Sequence, residues 1–419
     1  MDFALIALVL TEVLSCSVYS ILAPFFPSEA NSKGIGSSLV GVIFSGYPIA
    51  ASISSLIFAK FISKIGRRKL LVFGCACEGF AMLTFGFVPY INRQLFIIIS
   101  TIARFGQGLG AGANTTATFA IVAVTYPDRM ESVIGLVQST AGIGFLVGPL
   151  IGSALYSIGG FSFLFFTYGI IFLIFVPVIY TMLPRDAEYN KNRDEIQLSE
   201  LAKIPTVIYN GIVQIISIMS LSFLYPTLTN HLASFGVSTA WTGVIFSLPS
   251  GAYALAAVVL SYIKWEKKLI MSIGLFFISM ANFHVGPWEY LFYLPQKLWI
   301  VVMAGAFLGF GLGLSNLPVL PDMVENSVKV LRQYTEAQIS DSLSGLLCFA
   351  IFFGEICGPP LSGFLAESMD FGNAEAIMGF AVLFYLIIYV IFRKKQNSLK
   401  RDNLKEMFFE HEMISTTIN

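Results

Sequence analysis

Residues Gly142–Tyr156 read GIGFLVGPLIGSALY, an apolar stretch with glycine at 142, 144, 148 and 152 and proline at 149. Glycine costs about 1 kcal/mol and proline about 3 kcal/mol inside a helix, so a water-soluble helix rarely collects five such residues. A bilayer changes the balance. Small residues four apart let two helix backbones approach closely, and neighbouring helices re-satisfy the groups that proline frees. The stretch therefore reads as a tightly packed membrane helix. A second glycine–proline element, Gly358-Pro359-Pro360-Leu361-Ser362-Gly363, begins 210 residues after Gly148, half the length of the 419-residue chain. Two copies at that spacing predict two helix bundles, each with a bend, that pivot on one another.

Composition agrees. The chain is 56% hydrophobic and 12% charged, against about 25% charged in a soluble domain. Its net charge is zero, which gives no basic footprint for nucleic acid. Apolar runs of about 20 residues each read as a membrane span, so the expected class is an all-α membrane protein. The first run lacks a basic lead and a small-residue cleavage site, and is expected to be a retained span rather than a signal peptide. The five cysteines lie in apolar segments and the three histidines lie far apart in the chain. That pattern predicts no disulfide framework, no metal site and no cofactor. Nothing resembles a nucleophile with its base, so an enzyme is not expected.

Twelve spans are expected, at roughly 3–26, 37–59, 70–90, 95–125, 132–158, 160–182, 205–230, 241–262, 268–286, 298–321, 337–366 and 374–392. These divide the chain into a first six-helix bundle (1–183), a linker (184–203), a second six-helix bundle (204–393) and a tail (394–419). Lysine and arginine concentrate on cytoplasmic loops. Of the 25 here, 21 fall in the even loops, the linker and the tail, and only Lys33, Arg93 and Lys297 on the other side. Both termini are therefore expected in the cytoplasm. The last basic residue, Arg104, is inside span 4.

Internal repetition supports two halves. Gly41-Val42-Ile43-Phe44-Ser45 recurs as Gly243-Val244-Ile245-Phe246-Ser247, and Pro24 as Pro226, both 202 residues on. Gly106, Gly108 and Gly110 match Gly309, Gly311 and Gly313 at an offset of 203. Parallel six-helix repeats about an axis along the membrane normal form one transporter architecture, with substrate held between the halves near mid-membrane.

These features resemble the major facilitator superfamily over nearly the whole chain. The segment Ala59–Arg68 resembles its basic loop signature, with Ala59 and Ser63 where a glycine and an aspartate are usual. Arg104-Phe105-Gly106-Gln107-Gly108-Leu109-Gly110 resembles the arginine–glutamine–glycine motif of proton-coupled members, and Gly144–Gly152 the span-5 motif of antiporters. Within the superfamily, Ala23-Pro24-Phe25-Phe26-Pro27, Tyr225-Pro226-Thr227-Leu228 and Gly358–Gly363 are similar to the vesicular amine transporters, especially their polyamine-transporting branch. Monoamine members carry acids at positions corresponding to Ser15, Tyr225, Gly313 and Cys348, which points away from monoamines and leaves the proton route unassigned. The resemblance implies that Gly66, Arg67 and Arg68 form a cytoplasmic latch with Asp128 at the foot of span 4. It also implies a monomer in a vesicular, endolysosomal or plasma membrane, with protons, a small-molecule substrate and lipid as partners.

Charges inside spans cost about 2.5–3.5 kcal/mol each by insertion scales, so they are functional candidates by default. Glu12 sits about 13 Å along span 1, close to mid-membrane. It is expected to hold a proton or amine, the alternative being a carboxyl held by a neighbouring helix. Glu355, three residues before Gly358, reads equally as a proton carrier and as a structural partner. Glu78 is the weakest acid, because span 3 is peripheral in the family. Arg104 either competes with a cation for Glu12 or Glu355 or anchors span 4 on carbonyls. Tyr19, Asn114, Gln138, Asn210, Gln214 and Asn316 are neutral groups at cavity positions, with Asn114 serving either the cavity or a helix contact. Lys264, Lys267 and Lys268 have Asp322 and Glu325 as possible partners. His231 and His284 read as ordinary loop histidines, with a sensor of lumenal acid as the alternative.

The expected function is secondary active transport by alternating access, exchanging protons for an organic cation such as a polyamine. Two alternatives stay open: a proton-independent facilitator or carrier of another organic solute, and a non-transporting membrane subunit.

Overall fold

The computed structural model describes residues 2–126, 129–183, 198–262, 265–286 and 297–417. In hydrocarbon every backbone polar group needs an internal partner, and the described residues meet that need with helices. They are α1 (Phe3–Ser32), α2 (Ser37–Ile65), α3 (Arg67–Phe87), α4 (Arg93–Thr125), α5 (Met130–Met182), α6 (Leu198–Leu201), α7 (Pro205–Phe223) and α8 (Leu228–Ser234). Then come α9 (Thr239–Tyr262), α10 (Lys267–Val285), α11 (Leu298–Asn316), α12 (Val319–Val330), α13 (Glu336–Met369) and α14 (Phe371–Thr417). A straight helix of α5's length would run about 80 Å, far beyond a bilayer core of about 30 Å. Its backbone breaks at Gly159 and Gly160, the latter at φ +70°, where glycine alone is unstrained. Two crossings result, which brings the spans among the described residues to twelve.

Several boundaries differ from the sequence expectation. Span 7 ends at Phe223 rather than near 230, and the chain turns around Pro226 before restarting as α8. Span 10 ends at Asn316, with Pro318 ahead of α12. Proline cannot donate to the helix ladder, so both stops are local. The tail, expected as a separate polar segment, continues α14 as helix to Thr417.

Each half has its own core. One cluster joins Leu8, Phe26, Phe85, Phe96 and Phe165, and the other joins Phe223, Leu275, Leu308, Met378 and Tyr389. Outward, Leu56, Ile158, Phe364 and Phe384 are each more than 60% exposed, which suits a surface facing lipid.

The two glycine–proline elements play matched roles. Gly144 packs on the Val13 carbonyl and Cys16, Gly148 on Ser17 and Ser20, and Gly152 on Ile21 and Phe25, so α1 beds into α5. Gly354 packs on the Ile215 carbonyl and Gly358 on Met219 and Ser222, so α7 beds into α13. Between the halves, Gly41 meets the Pro359 carbonyl and Gly243 the Pro149 carbonyl. The same contact is made twice, once in each direction across the seam.

Packing also corrects one register. Gly108, Gly110 and Gly112 meet Tyr47, Gly74 and Ser54, while Gly309, Gly311 and Gly313 meet Pro249, Gly274 and Ala256. Spans 4 and 10 therefore repeat at 201 residues, pairing Gly108 with Gly309, and not at 203. Glycines two apart match at either offset in the sequence; only their contacts choose.

A side chain at Gly148 has nowhere to go. Overpacking of this kind costs about 1–3 kcal/mol, so Gly148→Val is expected to lower the melting temperature in detergent and to abolish transport. Gly142 has nothing within 4 Å of where a Cβ would stand, and Gly142→Ala is expected to leave both unchanged.

The seam is shut toward one face. We call the face carrying Gly66 and both chain ends the basic face, and the other the opposite face. Near the opposite face, Ser45 Oγ donates to the Ile356 carbonyl at 2.8 Å, and Thr229 Oγ1 to the Ala23 and Pro24 carbonyls at 3.2 Å. Glu367 of α13 accepts from the Ser38 backbone N–H at 3.0 Å and from Ser38 Oγ at 2.5 Å, capping the start of α2. Gly363 packs there on Ser37. Nearer the basic face, Gly135, Gly142 and Gly345 meet nothing within 4 Å among the described residues.

Candidate functional site

On α1, Glu12, Ser15, Cys16 and Tyr19 fall at i, i+3, i+4 and i+7, one stripe of a helix. Cys16 Sγ donates to Glu12 Oε1 at 3.8 Å. Cys16 lies within electrostatic range of Glu12, Glu78 and Glu355 together, so the three acids singled out in the sequence converge on this stripe. Glu12 is half-buried and lines a small crevice with Thr115, Thr118 and Phe119 of α4 and Ile134 and Val137 of α5. Cys348 of α13 is its neighbour across the seam. Glu355 is half-buried as well and interacts with Tyr19, Arg104 and Tyr225. Among the described residues, no basic side chain forms a salt bridge with Glu12, Glu78 or Glu355.

Arg104 is 1% exposed. Its Nη1 donates to Gln107 at 2.9 Å and its Nη2 to the Phe44 carbonyl at 3.4 Å, while Nε has no partner among the described residues. The guanidinium sits over three rings, 5.1 Å from Tyr47, 5.2 Å from Phe44 and 5.5 Å from Tyr19. Cation–π attraction can contribute about 2 kcal/mol when desolvated. Tyr19 in turn touches Tyr47 at 4.7 Å, Phe145 at 5.8 Å and Tyr225 at 6.0 Å between ring centres. With Phe352 of α13 these form an aromatic cluster fed by both halves. The sequence alone does not mark Phe44, Tyr47, Phe145, Tyr225 or Phe352 as site residues. Among 39 phenylalanines and 17 tyrosines, only their convergence on a buried cation marks them.

Other candidates fall elsewhere. Glu78, expected at the periphery, is wholly buried between α1, α3 and α4, and Ser15 Oγ donates to its Oε1 at 2.5 Å. Asn114 is 3% exposed and turned to α3, where Cys75 Sγ donates to its Oδ1 at 3.7 Å; it serves a helix contact, not the cavity. Asn210, also expected in the cavity, donates to Asp322 at 2.8 Å and accepts from Tyr389 at 2.8 Å. Gln214 is buried in α7. Asn316 is half-buried at the end of α11 and accepts from Ser315 Oγ at 3.2 Å. The side chain of Gln138 lies outside the described residues, as do Asp128 and Lys264.

Gly66 joins α2 directly to α3 at φ +90°, a backbone that strains any side chain. Arg68 stacks on Tyr180 at 3.7 Å and donates to its carbonyl, which fastens this corner to the end of span 6. At the matching corner of the second half, Lys268 pairs with Asp322 at 3.3 Å, both nearly buried, and Lys267 with Glu325 at 2.8 Å. Near the opposite face His231 stacks on Phe371 at 4.1 Å, and burial pushes its imidazole down to about 4. It stays neutral at mildly acidic pH, so the sensor alternative loses ground. The stability that neutral ring contributes is present above about 6.5 and is lost as pH falls toward 4.

The Major Facilitator Superfamily matches residues 8–211 and again residues 210–410. The MFS-type transporter SLC18B1 of Rattus norvegicus is 28% identical over 400 residues, covering 93% of this chain and 86% of that one. The synaptic vesicular amine transporter of Homo sapiens is 20% identical over 358 residues, covering 84% of this chain and 66% of that one. Among solved structures, a bacterial homologue of the human lysosomal transporter Spinster, inward-facing and occupied, superposes with a TM-score of 0.69 at 13% identity, covering 93% and 95% of the two chains. A POT family transporter in complex with 5-aminolevulinic acid gives 0.70 at 14% identity, covering 93% and 96%. At such identities the structural likeness speaks for the fold.

Proposed function

The chain belongs to the Major Facilitator Superfamily, and on that premise we propose that this multi-pass transporter exchanges protons for an organic cation, with a polyamine as the favoured class. The observation that carries the reading is that each half brings one unbridged carboxyl, Glu12 or Glu355, to the Cys16 stripe. They come from opposite halves, both are half-buried, and no basic side chain bridges either among the described residues. A carboxylate in that position binds a proton or an ammonium group, not both. Mutual exclusion at one acid is the physical content of exchange, and aromatic rings beside it add attraction for a cation. One relative supports the class: the synaptic vesicular amine transporter is named for an amine.

We place the basic face in the cytoplasm on the strength of its lysines and arginines. In that orientation the contacts of Ser45, Thr229 and Glu367 close the seam toward the lumen or exterior. Reaching the other state requires Glu367 to leave Ser38. Hydrogen bonds to an exposed charge at a helix start contribute about 1 kcal/mol. Glu367→Ala is therefore expected to raise the outward-open population about fivefold, read as increased labelling of a cysteine placed at Ser45 from the opposite side. Unchanged labelling would show that Glu367 does not hold this gate.

The test of function is uptake into proteoliposomes under an imposed pH gradient, with polyamines, monoamines and neutral solutes side by side. Accumulation of polyamine that collapses with the gradient is the expected result. Polyamine uptake indifferent to the gradient would favour a proton-independent facilitator on the same fold.

A further inference from the structure

We propose that Glu78 is a second proton-binding site, buried within the first bundle and tied to the seam through α1; this rests on the proton-exchange reading above. The two repeats isolate what is unusual about the position. Gly110 meets the Gly74 carbonyl, Cys77 and Glu78, and Gly311 meets the Gly274 carbonyl, Phe277 and Ile278. Glu78 thus stands where the second half has Ile278, and both are 0% exposed. By the offsets of their helices, Ser15 and Asn114 stand where the second half has Ser217 and Ser315. Those two serines hydrogen-bond each other at 3.1 Å beside the isoleucine.

The helix crossing therefore packs well without a carboxyl, and a function other than packing has placed one there. In the first half Glu78 comes between the equivalent groups. Its Oε1 accepts from Ser15 Oγ at 2.5 Å and Asn114 faces it from α4, while its Oε2 and the Asn114 amide nitrogen are buried with no partner at full hydrogen-bond geometry among the described residues. A larger cation does not fit, because even a Cβ on Gly110 would stand 2.8 Å from Glu78 Cγ. A proton does. The groups facing Glu78 carry no positive charge: Glu12 and Cys16 on α1, Tyr47 on α2, Cys75 and Cys77 on α3 itself, and Asn114 on α4, while α5 brings Phe172 and Leu173 to the neighbouring Gly79.

Ionised, Glu78 gives Ser15 a charged acceptor; protonated, it turns one oxygen into an O–H and that bond loses its charge assistance. Ser15 is three residues after Glu12 and four before Tyr19, so a change in this bond acts on the stripe that faces the seam. Proton uptake inside the bundle is in this way linked to α1, the helix bedded on the α5 glycines.

The test uses the full chain in proteoliposomes with Glu78→Ile, the residue of the sister repeat, and Glu78→Gln. Both are expected to keep amine-for-amine exchange at equal pH on the two sides. Gradient-driven accumulation should fall about tenfold or more, the size of an ordinary coupling between two sites. Protons moved per amine, read with a trapped pH dye, should fall as well. Wild-type accumulation and proton movement in both variants would overturn the proposal, and so would failure of Glu78→Ile to fold while Glu78→Gln behaves as wild type. A wild-type protein that ignores the gradient would instead remove the exchange reading itself.

Discussion

Glu355→Gln is expected to leave the fold intact and to abolish gradient-driven accumulation of the amine. The substitution preserves shape and removes the charge. Interactions made by a charged group contribute about 1.5–3 kcal/mol, so amine affinity should drop about ten- to hundredfold. The competing proton loses its site at the same step, so raising amine concentration restores occupancy without restoring coupling. Equilibrium binding measured beside uptake separates the two losses. Arg104→Lys tests the facing group. Lysine keeps the charge but lacks the planar fork that reaches Gln107 and lies over Tyr19, Phe44 and Tyr47. Uptake by Glu355→Gln at the wild-type rate, with the pH dependence kept, would show that this carboxyl does not carry the exchange.

The second large effect is on stability. Lys268 and Asp322 are about 5% and 7% exposed and stand 3.3 Å apart, with Asn210 at 2.8 Å and Asn326 at 3.3 Å from Asp322. Breaking a buried pair by removing one member leaves an uncompensated charge and costs about 3–5 kcal/mol. Lys268→Ala or Asp322→Ala is therefore expected to lower the melting temperature sharply. The double replacement Lys268→Met with Asp322→Leu should cost much less than the sum of the two, because no charge is stranded. Additive losses would mean that the groups act independently.

Much of the architecture is legible in the sequence because hydrophobic length and glycine spacing are local signals. Twelve apolar runs, the glycine–proline pair and the repeated Gly41–Ser45 stretch suffice for two six-helix halves. The same locality explains the misses. The stop at Phe223, the break at Pro318 and the helical tail depend on which proline ends a helix and on how the chain continues beyond it. The offset of spans 4 and 10 shows the limit most clearly. A row of glycines two apart fits itself at several registers, and only contact with Tyr47 and Pro249 decides among them.

The site is legible by charge and illegible by direction. Glu12, Glu355 and Arg104 stand out as costly residues in apolar runs, and the structure brings them to one neighbourhood. Which side of a helix a residue faces is set by packing. Sequence alone therefore undervalues Glu78, leaves Asn114 open between cavity and helix contact, and assigns Asn210 to a cavity that it does not reach. Of the aromatic cluster the sequence marks only Tyr19, since Phe44, Phe145, Tyr225 and Phe352 come from separate segments of both halves.

The most direct measurement is of proton movement itself. Vesicles holding the protein and an acidic lumen with a trapped pH dye are given a polyamine on the outside. If carboxyls shared between the halves trade protons for the amine, the lumen turns alkaline on addition, and Glu12→Gln or Glu355→Gln abolishes the signal. Amine entering such vesicles with no change in lumenal pH would contradict the account.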